Sequence, residues 1–271
     1  MTATESLVLL DYLDDKSIAV IKLNRPLRRN ALNKAMIQAF QHSLEVLKTV
    51  NTLRAVILSG NGSDFCAGAD LEWMKESLSY TEAENIEDAS ALAHLLETLQ
   101  HFPIPTIAVV EGAVFGGGLG LIACCDIVLG SNTVRCCFSE VKLGLVPAII
   151  MPFVAQAMSL RGMQRYCLTA EVFDVAQAVQ SGLIHQVYSE KVLWTEAMVF
   201  ARSIQQNAPI AVSETKALLC QLKRGDAKAY TALVKKMVKK IAAVRVGAEA
   251  QEGMTAFFEK RRPIWGAQKN V

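Results

Sequence analysis

The chain has 271 residues, of which 52% are hydrophobic and 20% are charged, and its 28 basic and 26 acidic side chains leave a formal net charge of +2. The apolar content is too high, and the net charge too small, for an intrinsically disordered chain. The balanced charge also disfavours a nucleic-acid-binding protein, which normally carries a clear basic excess. At this length we expect one large domain, or one domain with an appendage.

The N-terminal segment and the cysteines indicate a cytoplasmic protein. No basic residue precedes Lys16, which argues against a secretory signal or a transit peptide. The longest uncharged run, 143–160, is interrupted by Gly144, Pro147 and Pro152, so we interpret it as buried structure and not as a membrane helix. The 7 cysteines are odd in number and irregularly spaced, as expected for buried thiols and not for disulfides or metal ligands.

Apolar, β-branched segments alternate with helical segments in the first half of the chain. Strands are predicted at 17–23, 54–60 and 106–112, with shorter candidates at 126–130 and 134–138. This order of strands and helices predicts a parallel sheet buried between helices.

Two helices are predicted between these strands, each with an N-terminal signal. Asn33 is the expected N-cap of a helix over 33–50. Thr81 opens a capping box, TEAE, for a second helix that ends near Gln100, before Pro103.

The second half changes character, because almost every segment from about 190 to 259 favours helix. Breaks are expected near Pro209, Gly225 and Gly247. The cation-rich stretch 223–246 is interpreted as a helix with one solvated face, and its buried face is expected to carry Leu233, Met237 and Ile241.

Glycine-bearing loops follow two of the predicted strands. In the first loop, 59–74, Gly68 lets the backbone approach another group closely before a helix begins near Leu71. The second loop, 111–126, carries three consecutive glycines at 116–118 before an apolar helix. Unpaired N–H groups at such turns can hold an anion or a developing oxyanion. Close helix–sheet packing is the alternative explanation for these glycines.

The second loop does not match a dinucleotide-binding fingerprint, because Leu121 stands where the third glycine of G-x-G-x-x-G is required. The chain also contains no G-x-x-x-x-G-K-[ST] phosphate loop and no G-x-S-x-G element. A nicotinamide-dependent oxidoreductase and a triad hydrolase are therefore both disfavoured.

Glu140 is a candidate acid–base residue at the end of the strand predicted over 134–138. Taken alone, an acidic residue at such a position is usually on the surface. Its apolar neighbours predict partial burial instead, which would raise its pKa and suit general acid–base catalysis. The four scattered histidines are not predicted to be catalytic.

Together these segments resemble the crotonase superfamily, that is, the enoyl-CoA hydratases and isomerases. The resemblance covers nearly the whole chain and rests on NRPLRRNAL (24–32), FCAGADL (65–71), VEGAVFGGGLGLIACCDIVL (110–129), FSEVKLGLVP (138–147) and EGMTAFFEKRRP (252–263). Within the superfamily, FCAGADLEWM and FSEVKLGLVPAIIMPFV are most similar to bacterial methylglutaconyl-CoA hydratases of leucine breakdown and to their carboxygeranoyl-CoA relatives.

The resemblance implies a fold and an assembly. The fold would be α/β, a crotonase-like spiral of β-β-α turns that carries the acyl-CoA site over 1–200, followed by a C-terminal helical trimerisation region over 201–271. The protein would be a homotrimer or a dimer of trimers in the cytoplasm. Its partner would be an acyl-CoA thioester, with no nucleic acid and no membrane. No cofactor is expected, because CoA is part of the substrate.

The resemblance also assigns roles to individual residues. The backbone N–H groups of Ala69 and Gly117 would form an oxyanion hole around the thioester oxygen, and Glu140 would be the catalytic glutamate. Lys260 and Arg261 would reach a CoA phosphate. The full set of substrate- and CoA-binding residues would be Arg28, Ala67, Gly68, Asp70, Leu71, Gly116, Gly120, Lys260 and Arg261.

Gly120 departs from the family pattern, because typical hydratases of the superfamily carry a second glutamate at this position. With one carboxylate, two explanations compete. Glu140 either activates water and returns its proton to the α-carbon in a syn addition, or it only moves a proton between carbons, as single-carboxylate enoyl-CoA isomerases do. The match outside position 120 favours the hydratase. A noncatalytic acyl-CoA-binding protein is the further alternative.

Overall fold

A computed structural model of the chain describes residues 6–224, 227–261 and 263. Gly225, Arg262 and the part of the predicted trimerisation region over 264–271 lie outside the described residues. The described strands are β1 (Val8–Leu13), β2 (Ile18–Leu23), β3 (Ala55–Gly60), β4 (Thr106–Val110), β5 (Ala113–Phe115), β6 (Ile127–Ser131), β7 (Arg135–Cys137), β8 (Phe173–Asp174) and β9 (Gln186–Tyr188).

The described helices are α1 (Lys34–Lys48), α2 (Leu71–Glu76), α3 (Glu82–Gln100), α4 (Gly117–Ala123), α5 (Met151–Ala157), α6 (Leu160–Thr169), α7 (Val175–Gln180), α8 (Glu190–Gln205), α9 (Pro209–Arg224), α10 (Ala227–Arg245) and α11 (Ala248–Phe258). Short 3₁₀ helices cover Pro26–Arg28, Ser77–Ser79 and Glu140–Leu143.

The strands form two sheets. The larger sheet has the order β1-β2-β3-β4-β6-β9, and the smaller has the order β5-β7-β8. From β2 to β9 the larger sheet is parallel, as predicted, whereas β1 is antiparallel to β2. The successive strands β4 and β5 belong to different sheets, and so do β6 and β7. The chain therefore winds between the two sheets in a spiral of β-β-α turns.

The parallel strands are buried on both faces. In β2, Ile18 and Val20 pack into a core that includes Leu193 of α8. Ala19 and Ile21 point to the opposite face and join the larger core, to which α1 and α3 contribute. A strand buried on both faces is a continuous apolar run, which is why the sequence predicts these strands clearly.

The two predicted helix N-termini are confirmed. The side chain of Asn33 accepts a hydrogen bond from the backbone N–H of Met36 at 2.9 Å. Thr81 and Glu84 form a reciprocal capping box, in which the backbone N–H of Thr81 donates to Glu84 Oε2 at 2.7 Å. These caps satisfy N–H groups that have no partner inside the helix, and they fix where α1 and α3 begin.

Helix α9 begins at Pro209 and α11 begins directly after Gly247, in agreement with two of the predicted breaks. Of the three residues predicted to be buried on α10, Ile241 is buried and Met237 is half-buried against the core, whereas Leu233 is 42% exposed. Val234 and Val238, which share a helix face with Ile241, are buried instead of Leu233. Among the described residues, no helix has both the length and the apolar character that crossing a membrane requires.

Candidate active site

The loop after β3 is anchored by the buried carboxylate of Asp64. This carboxylate accepts hydrogen bonds from Arg29 Nε at 2.8 Å, from Arg29 Nη2 at 3.0 Å and from the backbone N–H of Ala113 at 2.7 Å. The hydrogen bond from Arg29 is the main cause that lowers the pKa of Asp64 to about 2. The carboxylate therefore remains ionised at neutral pH and ties the first loop to the start of β5.

A short parallel bridge leaves the backbone N–H of Ala69 unpaired. The N–H of Leu32 donates to the carbonyl of Gly68 at 2.7 Å, and the N–H of Asp70 donates to the carbonyl of Leu32 at 2.8 Å. In a parallel ladder, the residue between two such bonds turns its own N–H to the other side. The Ala69 N–H therefore points away from Leu32, and it has no acceptor among the described residues.

The second loop lies directly against the first, and glycines at both positions permit the contact. Gly68 has φ +95° and Gly116 has φ +46°, a region that other residues rarely adopt. A Cβ at Gly68 would lie only 3.2 Å from the carbonyl oxygen of Phe115. Gly117 then begins α4, and its N–H, in the first turn of the helix, has no acceptor within the described part of the chain.

Glu140 lies at the start of the 3₁₀ helix that follows β7. Its Oε1 would be 3.3 Å from a Cβ at Gly116, and its Oε2 is buried without a hydrogen-bond partner among the described residues. Burial raises the pKa of Glu140 to about 7, because the charged form is poorly solvated. Both the carboxylate and the carboxylic acid are therefore populated near neutral pH.

A cavity of about 490 Å³ joins these groups. The predicted residues that line it are Ala67, Gly68, Ala69, Leu71, Gly116, Gly117, Glu140 and Arg261. Its apolar walls include Met74, Leu92, Phe115, Ile149, Ile150, Ile241, Met254 and Phe257.

Helix α11 forms one wall of this cavity and packs onto the 3₁₀ helix that begins with Glu140. A Cβ at Gly253 would overlap the carbonyl oxygen of Leu143. Glycine at this position therefore lets α11 approach the backbone next to Glu140. Met254 and Phe257, one and four residues farther along α11, then face the cavity.

Asp70 is predicted to bind the substrate, but its carboxylate already has partners within the chain. It caps α2 by accepting hydrogen bonds from the N–H groups of Glu72 and Trp73, at 2.8 and 3.2 Å, and it pairs with Arg25 at 2.8 Å. Burial acts to raise the pKa of Asp70, but these hydrogen bonds outweigh it and the pKa is lowered. Asp70 thus positions the start of α2, and its side chain does not line the cavity.

The predicted phosphate-binding cations lie in different places. Arg28 pairs with Glu72 at 2.8 Å on an exposed surface. Arg261 lines the cavity and binds Glu252 through two hydrogen bonds of 2.6 and 2.8 Å. Lys260 does not line the cavity. A CoA phosphate would compete with carboxylates for Arg28 and Arg261.

Gly120 lies within α4, outside the lining of the cavity, and the space beside it is filled. A Cβ there would be 2.7 Å from Ile150 Cγ2 and 3.1 Å from Leu96 Cδ1. The position therefore has no room for a second glutamate unless Ile150 and Leu96 move. Among the described residues that line the cavity, Glu140 is the one acidic side chain.

The C-terminal helices contribute cavity residues that the sequence did not assign to the site. Ile241, which was predicted only to be buried, and Arg245 line the cavity from α10, and Met254 and Phe257 line it from α11. Phe257 lies within the motif EGMTAFFEKRRP, so the family resemblance already marked this segment as part of the protein's characteristic pattern. Arg245 lies in a stretch of many cations, in which no spacing distinguishes it from its solvated neighbours.

Comparisons with known proteins agree with this architecture. A family model described as enoyl-CoA hydratase/isomerase matches residues 14–268. The chain is 32% identical to a mevalonyl-coenzyme A hydratase of Aspergillus fumigatus, over 93% of this chain and 92% of the relative. It is 29% identical to a 2,3-dehydroadipyl-CoA hydratase of Escherichia coli, over 91% of this chain and 94% of the relative.

A solved structure supports the fold. The crystal structure of an enoyl-CoA hydratase from Shewanella pealeana matches with a TM-score of 0.78 and 37% identity, covering 97% of this chain and 100% of that one. The predicted α/β spiral is therefore confirmed.

Proposed function

The chain belongs to the enoyl-CoA hydratase/isomerase family, and we propose that it hydrates a branched enoyl-CoA, methylglutaconyl-CoA or a close relative, with Glu140 as its acid–base residue. One observation carries this proposal. The Glu140 carboxylate, with a pKa raised to about 7, lies beside two loops whose Ala69 and Gly117 N–H groups lack acceptors among the described residues.

In the proposed reaction, the two N–H groups bind the thioester oxygen and stabilise the enolate that forms there. The Glu140 carboxylate removes a proton from water as the water oxygen bonds to C3, and the carboxylic acid then delivers that proton to C2. The 2,3-double bond is consumed, one water is added, and Glu140 returns to its starting state. Loss of one oxyanion donor typically costs on the order of 3 kcal/mol.

The contacts of the CoA part of the substrate belong to the same proposal. The segment 67–71 would hold the adenine and pantetheine, and Arg28, Lys260 and Arg261 would lie near the phosphates. The trimeric assembly, the cytoplasmic location, the role in leucine breakdown and the absence of a cofactor besides the substrate are likewise predictions.

Isomerisation is the second candidate, and the filled space beside Gly120 favours it. Without a second carboxylate, Glu140 would remove a proton from C2 of a 3-enoyl-CoA and return it to C4, while the same N–H groups hold the dienolate. This reaction needs no bound water.

A panel assay with methylglutaconyl-CoA, crotonyl-CoA and a 3-enoyl-CoA distinguishes these candidates. We expect 3-hydroxyacyl-CoA to form from methylglutaconyl-CoA. Conversion of the 3-enoyl-CoA alone would instead identify an isomerase, and binding without turnover of any thioester would identify a noncatalytic binding protein.

Glu140→Gln tests the assignment of the acid–base residue. We expect turnover to fall about 10²–10⁴-fold, with folding and thioester binding retained. Glu87→Gln is the matched control, because Glu87 is exposed on α3 and should leave the rate unchanged. Hydration at the wild-type rate by Glu140→Gln would refute the assignment.

A further inference from the structure

The cavity contains a largely enclosed cation, Arg245, that the proposed reaction does not use. Among the described residues that line the cavity, the charged side chains are Glu140, Lys142, Arg245 and Arg261. The side chain of Arg245 is 15% exposed and that of Arg261 is 40% exposed, and Lys142 is an exposed residue. Arg245 is therefore the least exposed cation among the described residues that line the cavity.

Arg245 is fixed in place through one of its terminal nitrogens. Nη1 donates to Asn85 Oδ1 at 3.0 Å and to Asp88 Oδ2 at 3.1 Å, both on α3. Asp88 is itself held, because Trp73 Nε1 donates to its other oxygen at 2.9 Å. The guanidinium therefore has a defined orientation before any ligand binds.

The other edge of the Arg245 guanidinium, formed by Nε and Nη2, is unused. Nε is buried, and neither Nε nor Nη2 has a hydrogen-bond partner among the described residues. A buried donor without an acceptor costs free energy comparable to a lost hydrogen bond. Since Nη1 is directed at α3, the Nε–Nη2 edge is the part of Arg245 that remains for a ligand in the cavity.

This protein uses the same edge elsewhere to bind carboxylates. Arg29 binds Asp64 through Nε and Nη2 at 2.8 and 3.0 Å. Arg165 binds Glu171 through the same two nitrogens at 2.7 and 3.2 Å. The two parallel N–H groups match the two oxygens of a carboxylate, and lysine cannot reproduce this geometry.

Asp88 is the one carboxylate that Arg245 binds among the described residues, through Nη1 at 3.1 Å. Burial raises the pKa of the Asp88 carboxyl, and the positive charge of Arg245 acts against that rise. A carboxylate of a ligand would therefore meet the Nε–Nη2 edge and would not compete with Asp88.

We propose that Arg245 binds the distal carboxylate of the acyl group, so that the substrates are CoA monothioesters of unsaturated dicarboxylic acids. This inference rests on the proposed function, because it places the acyl chain in the cavity that contains Glu140. An uncharged acyl chain would leave the Nε–Nη2 edge of Arg245 without an acceptor. Arg245 is thus a specificity-determining residue, and Glu140 performs the proton transfer.

Binding of unreactive, saturated thioesters tests the inference without relying on turnover. The probes are 3-methylglutaryl-CoA and its ω-methyl ester, which has nearly the same shape and no distal charge. We expect the wild-type protein to bind the free acid about 10²-fold more tightly. Equal affinities of the wild-type protein for the two probes would overturn the inference, and this comparison needs no variant.

Two substitutions locate the preference at Arg245. In Arg245→Leu the two probes should bind equally well, and in Arg245→Lys most of the preference should be lost because the fork geometry is missing. Arg202→Leu removes an arginine of an exposed ion pair with Asp14 and should keep the preference. A full preference in both Arg245 variants would show that another group binds the carboxylate.

The same measurements separate this inference from the proposed function. A strong preference for the free acid, without hydration of any enoyl-CoA, would retain Arg245 as the carboxylate-binding residue and refute the hydratase. Hydration of crotonyl-CoA and methylglutaconyl-CoA with equal kcat/KM would retain the hydratase and overturn the role of Arg245.

Discussion

The proposed acid–base role of Glu140 depends on a burial that lowers the stability of the folded protein. Its Oε2 is buried without a partner among the described residues, and burial raises the pKa to about 7. That proton affinity suits a group that must take up and release a proton near neutral pH. The same burial destabilises the folded protein whenever the carboxyl group is ionised.

The sign of this destabilisation leads to a prediction. The pKa of Glu140 in the folded protein, about 7, exceeds its ordinary value of 4.5, so the native state holds the proton more tightly than the unfolded chain. The contribution of the Glu140 proton to the free energy of unfolding is therefore fully present below pH 4.5 and is lost as the pH rises through about 7. Glu140→Gln has no such proton to lose. The free energy of unfolding of Glu140→Gln, relative to that of the wild type, should therefore increase by about 2 kcal/mol between about pH 5.5 and about pH 8.5.

Urea denaturation of both proteins at the two pH values measures this effect. Glu87→Gln serves as the reference, because an exposed carboxylate should give the same difference from wild type at both pH values. Parallel pH profiles for wild type and Glu140→Gln would mean that the Glu140 carboxyl is not buried as described.

The local sequence predicts the surroundings of Glu140 but not those of Arg245. The apolar neighbours of Glu140 belong to one continuous segment, so its partial burial can be predicted from the chain. The surroundings of Arg245 come from α3, about 160 residues earlier in the chain. Contacts over such separations are created by the fold, and neither charge nor periodicity in one segment predicts them.

At the scale of elements, α4 packs closely against Ile150 at Gly120, the position where the family resemblance leads us to expect a second glutamate. The buried Ile150 and Leu96 occupy the volume beside Gly120. The position is therefore constrained by its neighbours and not by backbone conformation, since Gly120 is helical.

Gly120→Ala should therefore destabilise the protein by about 1–3 kcal/mol through overpacking. Ile150→Ala removes the Cγ2 atom that the new Cβ would meet at 2.7 Å, so the double variant should be more stable than the sum of the two single effects predicts. Chemical denaturation of the four proteins in this cycle measures the coupling.

Gly118→Ala provides the contrast for this cycle. A Cβ at Gly118 would lie 2.8 Å from the backbone carbonyl of Cys66, which Ile150→Ala cannot relieve. We expect additive effects for the pair Gly118→Ala and Ile150→Ala. Additive effects for Gly120→Ala as well would show that Ile150 does not fill the space beside Gly120.

The strands that the sequence failed to predict lack the pattern by which longer, buried strands are identified. β5, β7, β8 and β9 have two or three residues each, and of these only the region of β7 was predicted. Such strands are too short for an alternating pattern to develop. β1 is longer but largely half-exposed, so it lacks the continuous apolar run that identifies β2, β3 and β4.

At the scale of the whole molecule, α9 carries apolar surface that the described chain does not cover. Ile210, Leu218 and Leu219 are 78%, 59% and 53% exposed. Leu218 and Leu219 are adjacent in the chain, and exposed apolar patches typically mark an interface with another chain. These residues lie in the C-terminal region, 201–271, for which the family resemblance predicts trimerisation.

We therefore expect the protein to sediment as a trimer or a dimer of trimers. Substitution of both Leu218 and Leu219 by lysine should shift it to smaller species, because charge would be buried at the interface. Leu168→Lys is the matched control, since Leu168 is an exposed leucine on a different helix, α6. A monomeric wild type, or a double variant with unchanged mass, would contradict the prediction.

The approach of α11 to the backbone beside Glu140 has a consequence for protein synthesis. Residues 140–143 are translated more than 100 positions before Gly253 and Met254. Until α11 packs over them, one wall of the cavity is missing and the Glu140 carboxyl is less buried than in the folded protein, so its pKa is raised less. The full proton affinity of Glu140 therefore arises only once the last helices have been translated and folded.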